Sequence, residues 1–482
     1  MTEKGYLVTQ LPGDPAGLNT GQPGNRETGE PPTQLRRTLG LADLVLAQIL
    51  LIVGLSSVGP AARLGSLQWI YWLLGILLFQ VPLALVVMHL TRSMPREGAL
   101  YQWTRAAFGD FAGFMVAWNF WNFVIVLVST IGLTIAAGIG YASGAAETFM
   151  SNRMWQAGMS ALAALALVLL AVAGFGTAKW LSNVASLTLL LVGALFIALP
   201  LFSRETRAEP QTMPFSLMQV VLFTRIAVYA LAGFEGMSIV VGECRGGARS
   251  VARSIAIAFP CIGAIYILAT RSVLKFVSPA DVDLVNPVAQ TFAIALHPFG
   301  RVAVIAASVA IVLLIVRDFA QSSQVFALVT RMPLVAGWDH LVPSWFTKLQ
   351  PRTKTPVNAI LFAGLLTFLC SFAAIAFAGR QEAFQILLSI AGVLFATTYL
   401  VMFAIPLLKP APWWLRIAAA SGFIVTATFL VLAFVPIVEV RSTARYAAIV
   451  ATAVAAVNTI GGLLFAASRF RRPVTPARPR SV

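Results

Sequence analysis

An all-α polytopic membrane protein is the fold class that three features of this 482-residue chain predict. Hydrophobic residues make up 59% of it and charged residues only 11%, against about 25% charged in a soluble globular domain. Apolar runs of about 20 residues, each enough to cross a bilayer core, recur along nearly the whole length. The runs are continuous rather than alternating, which excludes a β-barrel.

The pattern predicts about twelve transmembrane helices. They fall near 41–64, 68–90, 111–138, 155–173, 177–202, 216–242, 252–277, 299–331, 357–377, 383–406, 413–437 and 445–467. Residues 1–35 are polar and rich in Gly, Pro and Thr, and read as a disordered cytoplasmic tail with no signal peptide. A basic cytoplasmic tail is expected over 468–482. The net charge of +16 resides in short loops and tails, as membrane orientation requires, and is not read as a nucleic-acid footprint. Arg92, Arg96, Arg105, Arg245, Arg249, Arg253, Lys348, Arg352 and Lys354 fall on one set of connections. The alternate connections are poorer, so both termini are expected in the cytoplasm. Three scattered cysteines (Cys244, Cys261, Cys370) and three scattered histidines give no disulfide framework, no metal site and no cofactor motif.

Taken in order, the first span is interrupted. "LADLVLAQILLIVGLSSVGPAARLG" carries Gly54, Ser56, Ser57, Gly59 and Pro60 inside an apolar run, and Asp43 near its start caps it. The third span holds "AWNFWNFVIV", with Asn119 and Asn122 on one helix face. Those two asparagines either contact a substrate or hydrogen-bond between helices. The sixth span, "LFTRIAVYALAGFEGMSIVVGE", is interrupted at Gly233–Gly236 and places Glu235 in the break. "NPVAQTFAIALH" (286–297) is too short to span and reads as a re-entrant or surface helix. The eighth span is overlong and carries Arg317 and Asp318 midway, with Asp318, Gln321 and Ser322 on one face.

Unwound backbone at membrane depth is tolerated only where it is buried or lines a cavity. Two interrupted spans about five apart point to an inverted-repeat secondary transporter whose site lies between the breaks. Gly54, Ser56, Ser57, Ala232, Gly233 and Phe234 are therefore the expected substrate-binding residues, with Asn119 and Asn122 from the third span. Ionisable groups in the hydrocarbon zone are costly and usually face a cavity or a partner. Glu235 is the expected proton-coupling group, the alternative being a brace that hydrogen-bonds the loosened backbone or a neighbouring helix. Arg225, Arg317 and Asp318 are the expected buried charges, for gating or pairing, with a place at the membrane interface the other reading of Arg225. Arg317 either binds a substrate carboxylate or neutralises Asp318 or Glu235. About ten helical residues, roughly 15 Å, separate Arg225 from Glu235, so these two are not expected to pair. Arg271 also falls within a span.

Several stretches resemble the amino acid–polyamine–organocation permeases. "MPREGALYQWTRAAFGDFAGF" (94–114) is similar to that family's link from the second into the third span. "GFEGMSIVVGECRGGARSVARSI" (233–255) is similar to its sixth span and the basic loop behind it. "SSQVFALVTRMPLVAGWDHLVPSWFTKLQPRTKTPVN" (322–358) is similar to its eighth span and the following loop. The resemblance covers roughly 36–410. It implies a five-plus-five inverted repeat with broken first and sixth helices: 36–205 and 206–410 as the two repeats, and 411–467 as two additional C-terminal helices. The family's first break reads Gly-small-Gly; here Gly54-Leu55-Ser56-Ser57 puts hydroxyls where the second glycine would lie. Near Leu189 some members carry a lysine in the fifth span that serves proton coupling, and this chain does not.

The expected function is secondary active transport of an amino acid or related amine across the cell (inner) membrane, by proton coupling or exchange. The expected partners are that small molecule, protons and the lipid bilayer, with no nucleic acid. No P-loop is present, which argues against ATP drive within the chain. The scattered histidines argue against an enzyme. A membrane sensor or assembly subunit that keeps the permease fold is the alternative, and the short tails argue against it.

Overall fold

Long runs of Leu, Ile, Val and Ala can satisfy their backbone groups inside a bilayer only as helices. The computed structural model describes residues 40–94, 99–173, 175–202, 215–239, 244–335, 344–350 and 355–470, and contains helices and no extended strand among them. The expected N-terminal tail, residues 471–482 of the expected C-terminal tail, and the loop positions Arg96, Arg352 and Lys354 lie outside the described residues.

Among the described residues, ten helical stretches are long and apolar enough to cross a membrane, and a bent pair makes eleven. About twelve spans were expected. The difference falls at the fifth position, where only Ala185–Leu201 qualifies as an apolar helix and is shorter than the others. The bent pair is α1 (Leu41–Ile52) with the stretch after it. That stretch is one 3₁₀ turn, Leu55–Ser57, and then α2 (Val58–Ala62). The two halves bend by 49°. Asp43 caps the start of α1 by accepting a hydrogen bond from the Gly40 N–H at 2.9 Å.

The third helical stretch, α3 (Asp110–Ala142), is buried over most of its length. The sixth begins as α4 (Leu217–Arg225), loosens into a π turn at Ile226–Ala230, unwinds through Leu231–Phe234, and resumes as α5 (Glu235–Ile239). A second π turn, Ile76–Gln80, lies in the Gly65–Ser93 stretch. Then come α6 (Gly247–Phe276), the short α7 (Pro287–Leu296), α8 (Arg301–Val335), α9 (Arg380–Leu408), α10 (Trp413–Leu432) and α11 (Thr443–Phe470). The 286–297 segment is thus a helix too short to span, with Asn286 capping it by accepting from the Ala289 N–H.

The packing places α1 along α6 and α3 along α9, with α8 against α3 and α7. The connection before α7 is fixed by a buried ion pair. Asp283 meets Arg380 at 3.1 Å and accepts from the Tyr141 hydroxyl at 2.9 Å. That ties the end of α3, the α6–α7 connection and the start of α9 together.

Candidate functional site

A helix that ends inside the membrane leaves its last carbonyls without intrahelical partners, and each needs another donor. At the end of α1 the helices opposite supply them. The Tyr266 hydroxyl, on α6, donates to the Ile52 carbonyl at 2.9 Å and accepts from the Gly54 N–H at 2.9 Å. Gln321, on α8, donates to the Leu50 and Leu51 carbonyls at 2.6 and 2.9 Å. Arg317 donates to the Val53 carbonyl and, at 3.5 Å, to that of Leu50. Tyr266 is itself held by Trp72, stacked on it with ring centroids 4.6 Å apart.

The sixth-helix break is held in the same manner by one residue of α9. The Gly233 N–H donates to the Tyr399 hydroxyl at 3.0 Å, and that hydroxyl donates to Glu235 Oε2 at 2.7 Å. Gly233 has φ of +123°, a conformation open to glycine and disfavoured for other residues. Both Glu235 (1% exposed) and Tyr399 (0%) are shut off from solvent.

Between the two breaks lies a cavity of about 220 Å³, below the roughly 300–1,000 Å³ of drug-sized pockets. Its walls include Gly54, Ser56 and Ser57 from the first break, and Ala232, Gly233 and Glu235 from the sixth. Arg225, Arg317 and Asp318 also line it. Much of the remaining wall is apolar and aromatic, with Phe120, Phe123, Leu127 and Ile131 of α3 facing Phe395 of α9. Phe123 and Phe395 stack at 4.1 Å.

Nine of the twelve residues expected at the site therefore meet around one cavity. Three do not line it. Phe234 is fully buried behind the break. Asn119 donates to Asn458 Oδ1 on α11 and to the Met115 carbonyl, each at 2.9 Å. Asn122 donates to the Trp118 carbonyl, and Trp118 in turn donates to the Val457 carbonyl. The "AWNFWN" stretch thus docks α3 onto α11, and the face of α3 presented to the cavity begins at Phe120 and runs to Thr134.

The buried charges also sort themselves. Arg317, fully buried, pairs with Asp318 at 2.5 Å. Arg225 pairs with no acid among the described residues. It donates to Ser389 Oγ at 3.0 Å and to the Ala433 and Val435 carbonyls at 3.1 and 2.9 Å, just past α10. Arg271 lies on the exposed surface of α6. Tyr266 and Tyr399 escaped the sequence reading. Both are aromatics in apolar runs, and their partners lie 212 and 164 positions away. Tyr229, one turn before the sixth break, lines the cavity and donates to the Leu388 carbonyl at 2.8 Å.

A family model described as amino acid permease matches residues 39–465. An uncharacterised transporter of Legionella pneumophila is 23% identical over 378 residues, covering 77% of this chain and 80% of the relative. A branched-chain amino acid permease of Bacillus subtilis is 24% identical over 366 residues, covering 70% and 74%. A methylthioribose transporter of the same organism is 22% identical over 355 residues, covering 70% and 76%. Among solved structures, MhsT in complex with L-phenylalanine superposes with a TM-score of 0.55 at 16% identity, covering 81% of this chain and 97% of MhsT. That likeness is one of fold.

Proposed function

Because the chain belongs to the amino acid permease family, an integral membrane transporter family, we propose that it moves a neutral amino acid or closely related amine by alternating access. The observation that carries this reading is the cavity enclosed by two broken helices, with Glu235 at its wall. Unwound backbone at the bilayer midplane is where secondary transporters hold small polar solutes.

The charge pattern supports a neutral cargo. An acidic cargo needs a free cation and a basic one a free anion. Here Arg317 is taken by Asp318, the Arg225 guanidinium by Ser389 and the Ala433 and Val435 carbonyls, and Glu235 by Tyr399. The apolar wall of Phe120, Phe123, Leu127, Ile131 and Phe395 suits an aliphatic or aromatic side chain.

In this reading 36–205 and 206–410 form the inverted repeats, 411–467 stands outside them, and the transporter sits in the cell (inner) membrane with both termini cytoplasmic. The 49° bend after Ile52 and the unwound Leu231–Phe234 support the repeat. Transport is driven by protons or by exchange, and Glu235 is the group that takes up and gives back the proton. A carboxylate held by a neutral donor, Tyr399, can do this without drawing in a second buried charge.

The test is uptake of labelled neutral, acidic and basic amino acids into proteoliposomes, with and without an inward proton gradient. Wild type is expected to accumulate a neutral apolar amino acid under the gradient. Glu235→Gln is expected to lose the gradient response while still exchanging label with preloaded vesicles. An unchanged gradient response in Glu235→Gln would make that carboxylate a brace and move coupling elsewhere. Preference for an acidic or basic panel member would overturn the neutral cargo.

A further inference from the structure

The chain between α10 and α11, residues 433–442, runs as an irregular strap against the cavity. Carbonyls just past a helix end have no intrahelical partner and need donors from elsewhere. Two arginines supply them here, one from each broken span. Arg225, at the end of α4, donates to the Ala433 and Val435 carbonyls at 3.1 and 2.9 Å. Arg63, just past α2, donates to the Ile437 carbonyl at 2.6 Å. Pro436 stands between these anchor points and takes backbone freedom out of the strap. The start of α11 is pinned as well. The Tyr446 hydroxyl shares a hydrogen bond with Ser389 Oγ at 2.6 Å, and Arg225 donates to that same oxygen.

A second pocket, of about 620 Å³, adjoins the cavity, and Ile437 belongs to the walls of both. Two helices repeat the division. On α4, Leu222 lines the second pocket and Arg225 the cavity; on α9, Gln381 lines the second pocket and Phe384 the cavity. Three helical residues rise about 4.5 Å, so about one turn of protein, with Ile437 in it, separates the two spaces. We propose that the α10–α11 connection is the gate on this side of the cavity, with Ile437 as the partition and Arg63 and Arg225 as the residues that position it. Each broken span carries one of the two arginines, so a tilt of either span moves its own anchor and frees the strap. In the topology proposed above this side faces outward. The passage of cargo rests on the transporter reading; the partition does not.

The test is the rate at which a water-soluble thiol reagent modifies introduced cysteines in the purified full-length protein, read peptide by peptide by mass spectrometry. Leu388→Cys reports on the cavity and Ala280→Cys on the second pocket. Leu388→Cys is expected to react at least about tenfold more slowly than Ala280→Cys. Adding Arg63→Ala is expected to speed Leu388→Cys about tenfold, the factor that loss of one charge-assisted hydrogen bond gives. Ile437→Ala, which thins the partition and keeps the backbone contact, is expected to act in the same direction. Neither should change the rate at Ala280→Cys. The native Cys244 is buried and is expected to stay unmodified throughout, which distinguishes an opened gate from a loosened fold.

Equal rates at the two introduced cysteines would overturn the proposal. So would a Leu388→Cys rate that Ile437→Ala leaves unmoved in monodisperse protein, even where Arg63→Ala fails to fold, or modification of Cys244 in step with Leu388→Cys. Uptake into proteoliposomes separates the two readings. Wild-type uptake together with labelling indifferent to Ile437→Ala sinks the gate and leaves the transporter standing. Absence of any uptake, with the labelling as expected, sinks the transporter and leaves the partition.

Discussion

Tyr266→Phe is expected to destabilise the protein by about 2–6 kcal/mol, from two buried backbone groups left unpaired at about 1–3 kcal/mol each. The hydroxyl is the described partner of both the Gly54 N–H and the Ile52 carbonyl. Phenylalanine keeps the ring and its stack on Trp72, so the loss isolates the hydroxyl. Thermal unfolding of the purified variant reads the stability directly. Uptake should fall with it, since the first break relaxes on both sides. A variant as stable as wild type would mean that Tyr266 does not hold the break.

Gly233→Ala is the second large effect, and it should fall on transport more than on folding. The residue sits at φ +123°, and an added Cβ would lie 3.0 Å from Ile52 Cγ1. A non-glycine residue held in such a region costs about 1–3 kcal/mol, and each 1.4 kcal/mol is a factor of about ten in an equilibrium. Either the unwound strand turns to relieve the strain, which moves its N–H away from Tyr399, or the two breaks separate. Initial uptake rate is expected to drop about tenfold or more. Gly144→Ala provides the comparison, for Gly144 also has positive φ (+71°) but open space around it, away from the cavity. Equal losses in the two variants would assign the effect to general backbone strain rather than to the approach of the two breaks.

The breaks themselves could be read from the chain because glycine, serine and proline are conspicuous in a run of Leu, Ile and Val. Gly54 and Gly233 stand where helix gives way to extended or left-handed backbone. The stripe of Asp318, Gln321 and Ser322 was legible for the same reason, and all three line the cavity. What holds the breaks was not legible. A tyrosine inside a membrane helix has the same local pattern whether it packs or caps. Only the tertiary arrangement brings Tyr266 to Gly54 and Tyr399 to Glu235. Asn119 shows the converse. Its polarity made it a candidate, yet its side-chain partner is Asn458 on α11, which no periodicity within α3 can reveal. The pairing of Arg317 with Asp318 was one of the alternatives the sequence left open. Adjacent residues on a helix point some 100° apart, so spacing alone does not bring such a pair together.

The π turn at Ile226–Ala230 has a bearing on gaps in the chain. A π turn is an α turn that has taken in one residue more than its pitch requires. Deleting one residue within 226–230 closes it to an ordinary α turn and leaves α4 and the unwound strand in the same rotational phase. Arg225 would still reach the carbonyls beyond α10, and Gly233 would still face Tyr399. A deletion inside Leu217–Arg225 has no such slack, and swings the earlier residues about 100° around the axis. A relative one residue shorter in this helix can therefore carry the same cavity, with its alignment gap falling in this one turn.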